Sequence, residues 1–378
     1  MNVSLDVSAV PSSPAGAGRY AVELAAALAA LEELRLVVVA RRTDAARWRR
    51  LTGGRADVLA AAPSPRPLRL AWEQLVLPGV LGRARPDVHH GPHYTMPERS
   101  RLPVVVTIHD CTFFDHPEWH EPAKARFFRR AIRVAARRAG ALVCVSETTA
   151  RALTSACAVS APVVIAPHGV DHRRFRPDPP APGSDDAVLH RLGIDPRRRF
   201  ILFLGTLEPR KDVPTLVRAF SELADEEREV TLVLAGRHGW GSGPLEEALA
   251  TMRHRDRLTL TGYVPDDAVP ALLRKAAVVA YPSLAEGFGL PALEALACGA
   301  PLVTTRGTAM AELAGDAATL VVPGDHEGLA DALAGVLQGA GGAGASRRRE
   351  AGIARAAAFT WEASALRHVE AYRIAQGA

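Results

Sequence analysis

The segment from Glu286 to Glu294 has the residue types needed to hold a phosphorylated ligand that also carries hydroxyl groups. It reads Glu-Gly-Phe-Gly-Leu-Pro-Ala-Leu-Glu. Gly287 and Gly289 permit a close approach of the backbone to a ligand, and Pro291 favours the first turn of a helix. A helix N-terminus attracts a diphosphate through its N–H groups and partial positive charge. The two flanking carboxylates are acceptors suited to the vicinal hydroxyls of a sugar and a ribose.

A second element places Arg210 and Lys211 just after the apolar stretch Phe200–Gly205. Arginine binds phosphate oxygens with two parallel N–H groups, and lysine adds a point charge. Together they are suited to neutralise a diphosphate leaving group. The chain contains no Asp-x-Asp pair, so the sequence does not suggest a carboxylate-bound metal bridging the diphosphate.

A third element, Gly16-Ala-Gly18-Arg-Tyr-Ala, follows the first strand-like stretch and loosely fits a dinucleotide-binding turn. Arg41 and Arg42 follow the second stretch, where a 2′-phosphate of NADP would lie. The residues alone therefore leave two interpretations open, an NADP-dependent oxidoreductase and a simple strand-to-helix turn.

A fourth element, the apolar stretch Val104–His109, delivers His109 to its carboxyl end and is followed by Asp110. Either side chain could contact a sugar or help to move a proton. Other histidines have metal-like spacings, namely His89-His90-x-x-His93 and His116-x-x-x-His120. Neither has a convincing further ligand set, so we expect no metal site.

The elements that position these residues alternate between short apolar stretches and helical stretches, a pattern typical of parallel sheets covered by helices. Further strands are expected at Thr231–Gly236 and Val278–Tyr281, and a helix at Gly18–Leu31. We predict an α/β fold with two doubly wound, Rossmann-like domains and a ligand cleft between them. The proline-rich stretch Arg176–Asp186 indicates a linker or surface loop.

Composition narrows the function classes. The net charge of +5 over 378 residues is small, and no basic run is interleaved with aromatic residues, so we expect no nucleic-acid partner. The four cysteines are scattered, and the N-terminus lacks a basic signal region. No apolar run approaches the ~20 residues of a membrane span. We therefore expect a cytoplasmic protein with at most peripheral membrane contact.

Taken together, the motifs resemble glycosyltransferase family 4, whose members are retaining enzymes of the GT-B fold. The resemblance rests on an ordered series that covers nearly the whole chain: Gly16-Ala-Gly-Arg-Tyr20, Gly91-Pro-His-Tyr94, Thr107-Ile-His-Asp110, Val145-Ser-Glu-Thr148, Pro167-His-Gly-Val-Asp171, Gly205-Thr-Leu-Glu-Pro-Arg-Lys211, Gly262-Tyr-Val-Pro265, Pro282 to Pro301 and Phe359-Thr-Trp361. It implies an N-terminal acceptor domain at 1–175, a linker at 176–198, a nucleotide-sugar domain at 199–358, and a last helix at 359–378 that packs back on the N-terminal domain.

The resemblance also implies residue roles. The catalytic set would be His109, Arg210, Lys211 and Glu286. The donor site would comprise Gly16, Gly18, Gly205, Arg210, Lys211, Val264, Glu286, Gly287, Phe288, Gly289, Leu290 and Glu294. The acceptor site would involve Tyr94, Asp110 and Glu118. The short Asp266-Asp267 start after Pro265 departs from the family pattern, and contacts to the base there are expected to come from the backbone.

We therefore expect transfer of a hexosyl or pentosyl unit from a UDP- or GDP-sugar to an acceptor hydroxyl, without cofactor or metal. No carboxylate is placed as a nucleophile, which favours front-face displacement with retention of configuration. The acceptor stays open between an aminocyclitol-type small molecule, for which Asp110, Asp115 and Glu118 could pair with ammonium groups, and a glycan, and a homodimer is kept open. The alternatives are the NADP enzyme, a GT-B sugar-nucleotide epimerase or hydrolase, and a silent scaffold.

Overall fold

A computed structural model describes residues 1–377 and divides the chain into two compact units. Unit 1 comprises Met1–Gly169 and the chain from Thr360 onward, and unit 2 comprises Val170–Phe359. Each unit has one parallel sheet whose strands are connected by helices. The predicted fold class, two Rossmann-like units, is confirmed.

The sheet of unit 1 contains seven strands: β1 (Asn2–Asp6), β2 (Arg35–Arg41), β3 (Asp57–Ala62), β4 (Val88–Gly91), β5 (Val104–Ile108), β6 (Ala141–Cys144) and β7 (Val163–Ile165). All pairs are parallel, in the order β3-β2-β1-β4-β5-β6-β7. The strand order reverses between β1 and β4. Open parallel sheets bind ligands beyond the carboxyl ends of the strands at such a switch point.

The helices of unit 1 include one from the far end of the chain. They are α1 (Ala17–Ala30), α2 (Ala45–Leu51), α3 (Arg66–Leu75), α4 (Leu77–Ala84), α5 (Thr112–Asp115), α6 (Pro122–Arg138), α7 (Glu147–Ala156) and, in chain order, α16 (Trp361–Gly377). Ser146 caps α7, since its Oγ accepts the Thr149 N–H at 3.0 Å. α16 packs against α1, β5, β6 and β7, so the predicted return of the last helix is confirmed.

Unit 2 repeats the same plan with six parallel strands: β8 (Phe200–Leu204), β9 (Thr231–Ala235), β10 (Leu258–Gly262), β11 (Val278–Tyr281), β12 (Leu302–Thr305) and β13 (Ala318–Val321). The order is β10-β9-β8-β11-β12-β13, so the switch point lies between β8 and β11. Its helices are α8 (Ser184–Arg191), α9 (Val213–Glu226), α10 (Gly243–Ala250), α11 (Val269–Lys275), α12 (Leu290–Ala297), α13 (Ala309–Ala314), α14 (His326–Gln338) and α15 (Ala343–Ala357).

Burial of short apolar strands on both faces holds each sheet in place. β5 is buried along its whole length, and β8 reads Phe-Ile-Leu-Phe-Leu, with Phe200 and Phe203 among the largest fully buried side chains. Each such side chain contributes about 1.5–3 kcal/mol relative to exposure. The strand ends are therefore rigid points from which the polar loops begin.

The expected linker at 176–198 is instead part of unit 2. Its second half forms α8, and Arg274 donates two hydrogen bonds of 2.7 Å to Asp185. The prolines end before Gly183, and the acidic residues after it favour the first turn of a helix. The chain passes between the units after Gly169 and again after Phe359.

Candidate functional site

A short turn after β8 carries the two cations predicted to bind phosphate. Pro209–Lys211 forms one 3-10 turn between β8 and α9. Arg210 Nη1 donates to Glu286 Oε2 at 2.9 Å, and Lys211 Nζ contacts Glu286 Oε1. Arg210 Nε also contacts Glu208, a carboxylate that the sequence motif contains but that we did not assign to the site. The fold thus brings Glu286 into contact with Arg210, 76 positions earlier in the sequence, and with Lys211, 75 positions earlier.

This cluster balances two cations with two carboxylates. Burial alone would raise the pKa of Glu286, but Arg210 and Lys211 outweigh it and hold that pKa at about 2. Burial lowers the pKa of Lys211, and the Glu286 carboxylate opposes that change. Glu286 is therefore ionised at every ordinary pH. A phosphate group that reaches the cations competes directly with Glu286 for them.

The glycine loop opens onto α12 as the sequence predicts. Gly289 is the N-cap residue with φ 98°, and Pro291 lies in the first turn. A Cβ atom on Gly289 would lie 2.3 Å from Cγ of Met310 on α13. Both the backbone angle and the neighbouring side chain therefore require glycine here. The loop delivers Glu286 to one end of β11 and leads into a helix start of the kind that binds anions.

We expect Gly289→Ala to lower the free energy of unfolding by about 2–4 kcal/mol, because strain at this φ adds to overpacking against Met310. Adding Met310→Ala should relieve only the overpacking. Urea unfolding measures both effects. Gly344→Ala is the matched control, since a Cβ there meets nothing within 4 Å. Equal stability of the Gly289 and Gly344 variants would contradict the expectation.

The second predicted carboxylate, Glu294, lies in α12 and is buried. The pKa of Tyr281 lies well above its ordinary value, mainly through burial and further through Glu294 and Glu286. Within residues 1–377, the buried hydroxyls of Tyr281 and Ser283 have no hydrogen-bond partner. Such groups are uncommon in folded proteins, and they mark the end of β11 as a polar part of the site.

Two further residues of unit 2 that were predicted to bind the nucleotide-sugar donor, Gly205 and Val264, each follow a strand. Gly205 directly follows β8 and donates its N–H to Ala235 O at 2.9 Å. A Cβ on Gly236 would lie 1.8 Å from the Gly205 carbonyl oxygen, so these two strand ends are in backbone contact. Val264 is buried and follows β10, two strands away from β8. The structure therefore groups Gly205 with the cationic turn and leaves Val264 at the edge of the sheet.

In unit 1, His109 follows β5 as predicted and is buried. Its Nε2 lies 2.8 Å from the carbonyl oxygen of Pro92. A carbonyl only accepts hydrogen bonds, so Nε2 carries the proton and Nδ1 carries the lone pair. Burial lowers the pKa of His109, so the ring is neutral at neutral pH. His109 therefore offers Nδ1 as a hydrogen-bond acceptor and carries no positive charge.

The glycine turn of unit 1 begins α1. Gly16 is the N-cap residue with φ 49°, and the Tyr20 N–H donates to its carbonyl at 3.1 Å. A Cβ on Gly18 would lie 3.1 Å from Cβ of Pro14, which makes this a tight turn between strand and helix. Of the two arginines behind the NADP alternative, Arg41 pairs with Asp44 and donates to the carbonyl of Val10 at 2.8 Å.

Two of the three acceptor candidates lie together. Asp110 Oδ1 accepts from the Thr112 N–H and hydroxyl at 3.1 and 2.8 Å, and the buried Tyr94 lies close enough for its hydroxyl to bond that carboxylate. Glu118 is exposed over 61% of its side chain and pairs with His116 at 3.1 Å. Of the three acidic residues expected for an ammonium ion, Asp110 is half-buried, whereas Asp115 and Glu118 are exposed.

The histidines with metal-like spacing take part in hydrogen bonds. His89 Nδ1 lies 2.9 Å from Ser4 Oγ, and His120 Nε2 lies 3.0 Å from Thr112 Oγ1. In the described chain, no three side chains of metal-binding type are grouped to hold an ion. No helix among residues 1–377 is both long and apolar enough to cross a bilayer.

Family models match both halves of the chain. Residues 14–174 match the model described as Glycosyltransferase Family 4, and residues 198–339 match the model described as Glycosyl transferases group 1. The first match spans most of unit 1, with its glycine turn and His109. The second spans the cationic turn and the glycine loop of unit 2.

Relatives point the same way. The chain is 28% identical over 309 residues to the O-antigen chain mannosyltransferase B of Escherichia coli. The aligned region covers 82% of this chain and 78% of that protein. The chain is 32% identical over 220 residues to the D-inositol 3-phosphate glycosyltransferase of Segniliparus rotundus, covering 56% of this chain. It spans about half the length of the latter enzyme, since 46% of that protein is matched.

Solved structures share the fold over 98% of both chains. The sucrose-phosphate synthase of Thermosynechococcus elongatus superposes with a TM-score of 0.79 at 21% identity. HepE of Anabaena, solved in complex with UDP, superposes with a TM-score of 0.75 at 19% identity.

Proposed function

This chain is a glycosyltransferase of family 4 with the GT-B fold, and from that premise we propose which reaction it catalyses. It transfers a hexosyl or pentosyl unit from a UDP- or GDP-sugar to an acceptor hydroxyl, keeps the anomeric configuration and needs no metal. The observation that carries this proposal is the pairing of Arg210 and Lys211 with Glu286 beside the start of α12.

The cluster supports a diphosphate site because its cations are partly accessible and their present partner is exchangeable. The Arg210 side chain is 25% exposed and that of Lys211 is 11% exposed. A diphosphate brings more negative charge than one carboxylate, so it displaces Glu286 from the cations. Glu286 is then available to accept hydrogen bonds from hydroxyls of the transferred sugar. Glu294 accepts from the ribose, and the backbone near Val264 contacts the base.

The proposed reaction is a front-face displacement. The bond between the sugar anomeric carbon and the β-phosphate oxygen breaks while the acceptor oxygen bonds to the same carbon from the same face. The acceptor hydroxyl proton passes to the departing phosphate oxygen, and the nucleoside diphosphate leaves. Arg210, Lys211 and the α12 N-terminus stabilise the negative charge on that leaving group, which is the main catalytic effect. His109 accepts a hydrogen bond from a sugar hydroxyl through Nδ1.

A donor-by-acceptor screen with mass detection tests the proposal. We expect a mass increase of one glycosyl unit on an acceptor, with equal rates in the presence and absence of EDTA. A reaction without acceptor reveals an epimerase or hydrolase instead. Conversion of donor in that reaction alone, or abolition of transfer by EDTA, would contradict the proposal.

For the acceptor, two features of unit 1 favour a lipid-linked glycan over a soluble aminocyclitol. The α6 helix carries seven basic side chains and no acidic one. On α3, Leu68 and Leu75 are 60% and 66% exposed, and Phe127 on α6 is 37% exposed. Exposed apolar side chains and clusters of cations are both typical of proteins that bind anionic membrane surfaces. The Escherichia coli relative is named as an enzyme of O-antigen chains, which are glycans.

Vesicle sedimentation distinguishes the two acceptor types. We expect binding to vesicles containing phosphatidylglycerol, and weaker binding to vesicles of phosphatidylcholine alone. Leu68→Glu combined with Leu75→Glu should weaken binding at least tenfold. Leu366→Glu is the matched control, because Leu366 is 52% exposed on α16 of the same unit. If wild type binds neither vesicle, the soluble acceptor is favoured.

A further inference from the structure

Tyr20 of α1 links three separate elements of unit 1. Its hydroxyl lies 2.7 Å from Thr107 Oγ1 on β5 and 2.8 Å from His368 Nε2 on α16. Tyr20, Thr107 and His368 are all completely buried. The second bond spans 348 positions of sequence, so the last helix is tied directly to the first.

The same set of bonds continues from Thr107 back to α16. His90 Nε2 on β4 lies 2.8 Å from Thr107 Oγ1, and His90 Nδ1 lies 2.8 Å from the hydroxyl of Tyr372. His90 and Tyr372 are also fully buried. A closed path of hydrogen bonds therefore leaves α16 at Tyr372, crosses β4, β5 and α1, and returns to α16 at His368.

One backbone carbonyl fixes the proton on every bond of this path. His368 Nδ1 lies 2.7 Å from the Ser364 carbonyl oxygen, so Nδ1 donates and Nε2 can only accept. Tyr20 must then donate to His368, which leaves the Tyr20 oxygen to accept from Thr107.

The remaining bonds follow in the same way. The Thr107 oxygen, having given its proton to Tyr20, accepts from His90 Nε2. His90 Nδ1 is then the acceptor for the Tyr372 hydroxyl. Every donor and acceptor on the path is used in a single consistent direction, and both histidines are neutral. A buried network satisfied throughout is rigid, whereas one lost acceptor leaves a buried hydroxyl unpaired.

Tyr20 also touches the two parts of unit 1 that the proposed function places next to the ligand. Its ring packs edge-on against the His109 ring, with centroids 4.9 Å apart at 81°. Its backbone N–H donates to the carbonyl of Gly16 at 3.1 Å, one turn into α1. Thr107, which the Tyr20 hydroxyl contacts, lies on β5, and His109 is the first residue after that strand. The His109 imidazole therefore packs against the Tyr20 ring, and the position of Tyr20 limits the positions that the imidazole can take.

We propose that Tyr20, held by His368 of α16, is a positioning residue that fixes the His109 ring and the Gly16 turn for glycosyl transfer. The proposal rests on the proposed function, since it assigns His109 a contact with the donor sugar. Tyr20 itself does not need to touch a substrate. The last helix acts on the reaction through this chain of contacts.

The arrangement requires an unprotonated His368, because protonation removes the acceptor for Tyr20. The groups that face His368 are Tyr20, His90, His109 and His168, together with Tyr372 on its own helix. No carboxylate is among them to favour the charged form. Burial lowers the pKa of His368 to about 4, and the Ser364 carbonyl bond opposes that change only in part.

The experiment compares Tyr20→Phe, His368→Leu and His368→Gln in the full chain. Ring ¹⁵N NMR reports the His109 tautomer directly, without substrate. In wild type and in His368→Gln, whose amide oxygen can still accept from Tyr20, we expect proton occupancy of Nε2 alone. In Tyr20→Phe and His368→Leu we expect mixed tautomers and a turnover about tenfold lower. Affinity for UDP or GDP alone should not change, because unit 2 holds the diphosphate.

Ser4→Ala is the matched control, because it removes another buried bond between a hydroxyl and a histidine, Ser4 Oγ to His89 Nδ1 at 2.9 Å, in the same sheet. The inference is overturned if the His109 signals of both Tyr20→Phe and His368→Leu match those of Ser4→Ala. If Tyr20→Phe does not fold, the two His368 variants decide alone. If wild type transfers no sugar, the proposed function fails, while the ring signals still decide the positioning inference.

Discussion

Lys211→Ala will lower turnover at saturating donor by about 100- to 1,000-fold. Removing one preorganised group that stabilises charge in a transition state has an effect of this size in other enzymes. Here the lost group is the half-buried ammonium ion next to Glu286, and the leaving diphosphate gains charge as the glycosidic bond breaks. Arg210→Ala should have a comparable effect, because its guanidinium group faces the same carboxylate.

The fold should tolerate the Lys211 change, because Arg210 still neutralises Glu286 in the variant. Lys275→Ala is the control: this lysine belongs to the same unit and pairs with Asp186 at the surface, with 35% of its side chain exposed. Initial rates over a donor series separate turnover from KM, and thermal unfolding verifies folding. Unchanged turnover of Lys211→Ala at saturating donor would remove the assigned role.

Unit 1 will lose stability in mild acid while unit 2 does not lose it to the same extent. Burial lowers the pKa of His89 to about 3 and that of His368 to about 4, from an ordinary value of 6.5. Burial also lowers the pKa of His90 and His168. Unit 2 has His172, His190, His238, His254 and His326, and none of these is buried.

The direction follows from which state binds more protons. Between pH 6.5 and pH 4 the unfolded chain protonates these histidines and the native unit 1 does not, so its stability falls as pH falls. By pH 5 the loss is about 2 kcal/mol for each of His89 and His368. Their contribution is fully present above pH 6.5.

Urea unfolding followed by hydrogen exchange and mass spectrometry measures this effect, because each unit is followed through its own peptides. We expect the midpoint of unit 1 to fall markedly between pH 7.5 and pH 5.0. His89→Gln should remove about 2 kcal/mol of that pH dependence. A unit 1 midpoint that stays constant over this range would show that the buried histidines titrate normally.

The sequence was sufficient for most of the fold because the strands are short apolar stretches with polar ends. The prediction of Val278–Tyr281 matches β11 at both ends, and Val104–His109 exceeds β5 by one residue. The sequence did not indicate β4, since two of its four residues are His89 and His90, polar side chains in a run without strand-like alternation. Only the packed structure shows that these histidines are buried among hydroxyl partners.

The candidate site divides in the same way. The glycine loop and the cationic turn could be recognised because backbone angle and charge are local properties of the chain. The pairing of Lys211 with Glu286 could not be predicted, because it depends on β8 and β11 being neighbours in the sheet. The hydrogen bond between His368 and Tyr20 could not be predicted either, because it depends on α16 packing against α1.

The membership of α16 in unit 1 has a consequence for biosynthesis. A ribosome releases residues 170–359 before the helix that completes the first sheet's core, so unit 2 has all of its own residues first. Until Trp361–Gly377 emerges, Tyr20 and His90 lack their partners on α16 and lie beside an uncovered apolar surface. A nascent or prematurely terminated chain therefore has an incomplete first unit, which makes it a target for chaperones and proteases.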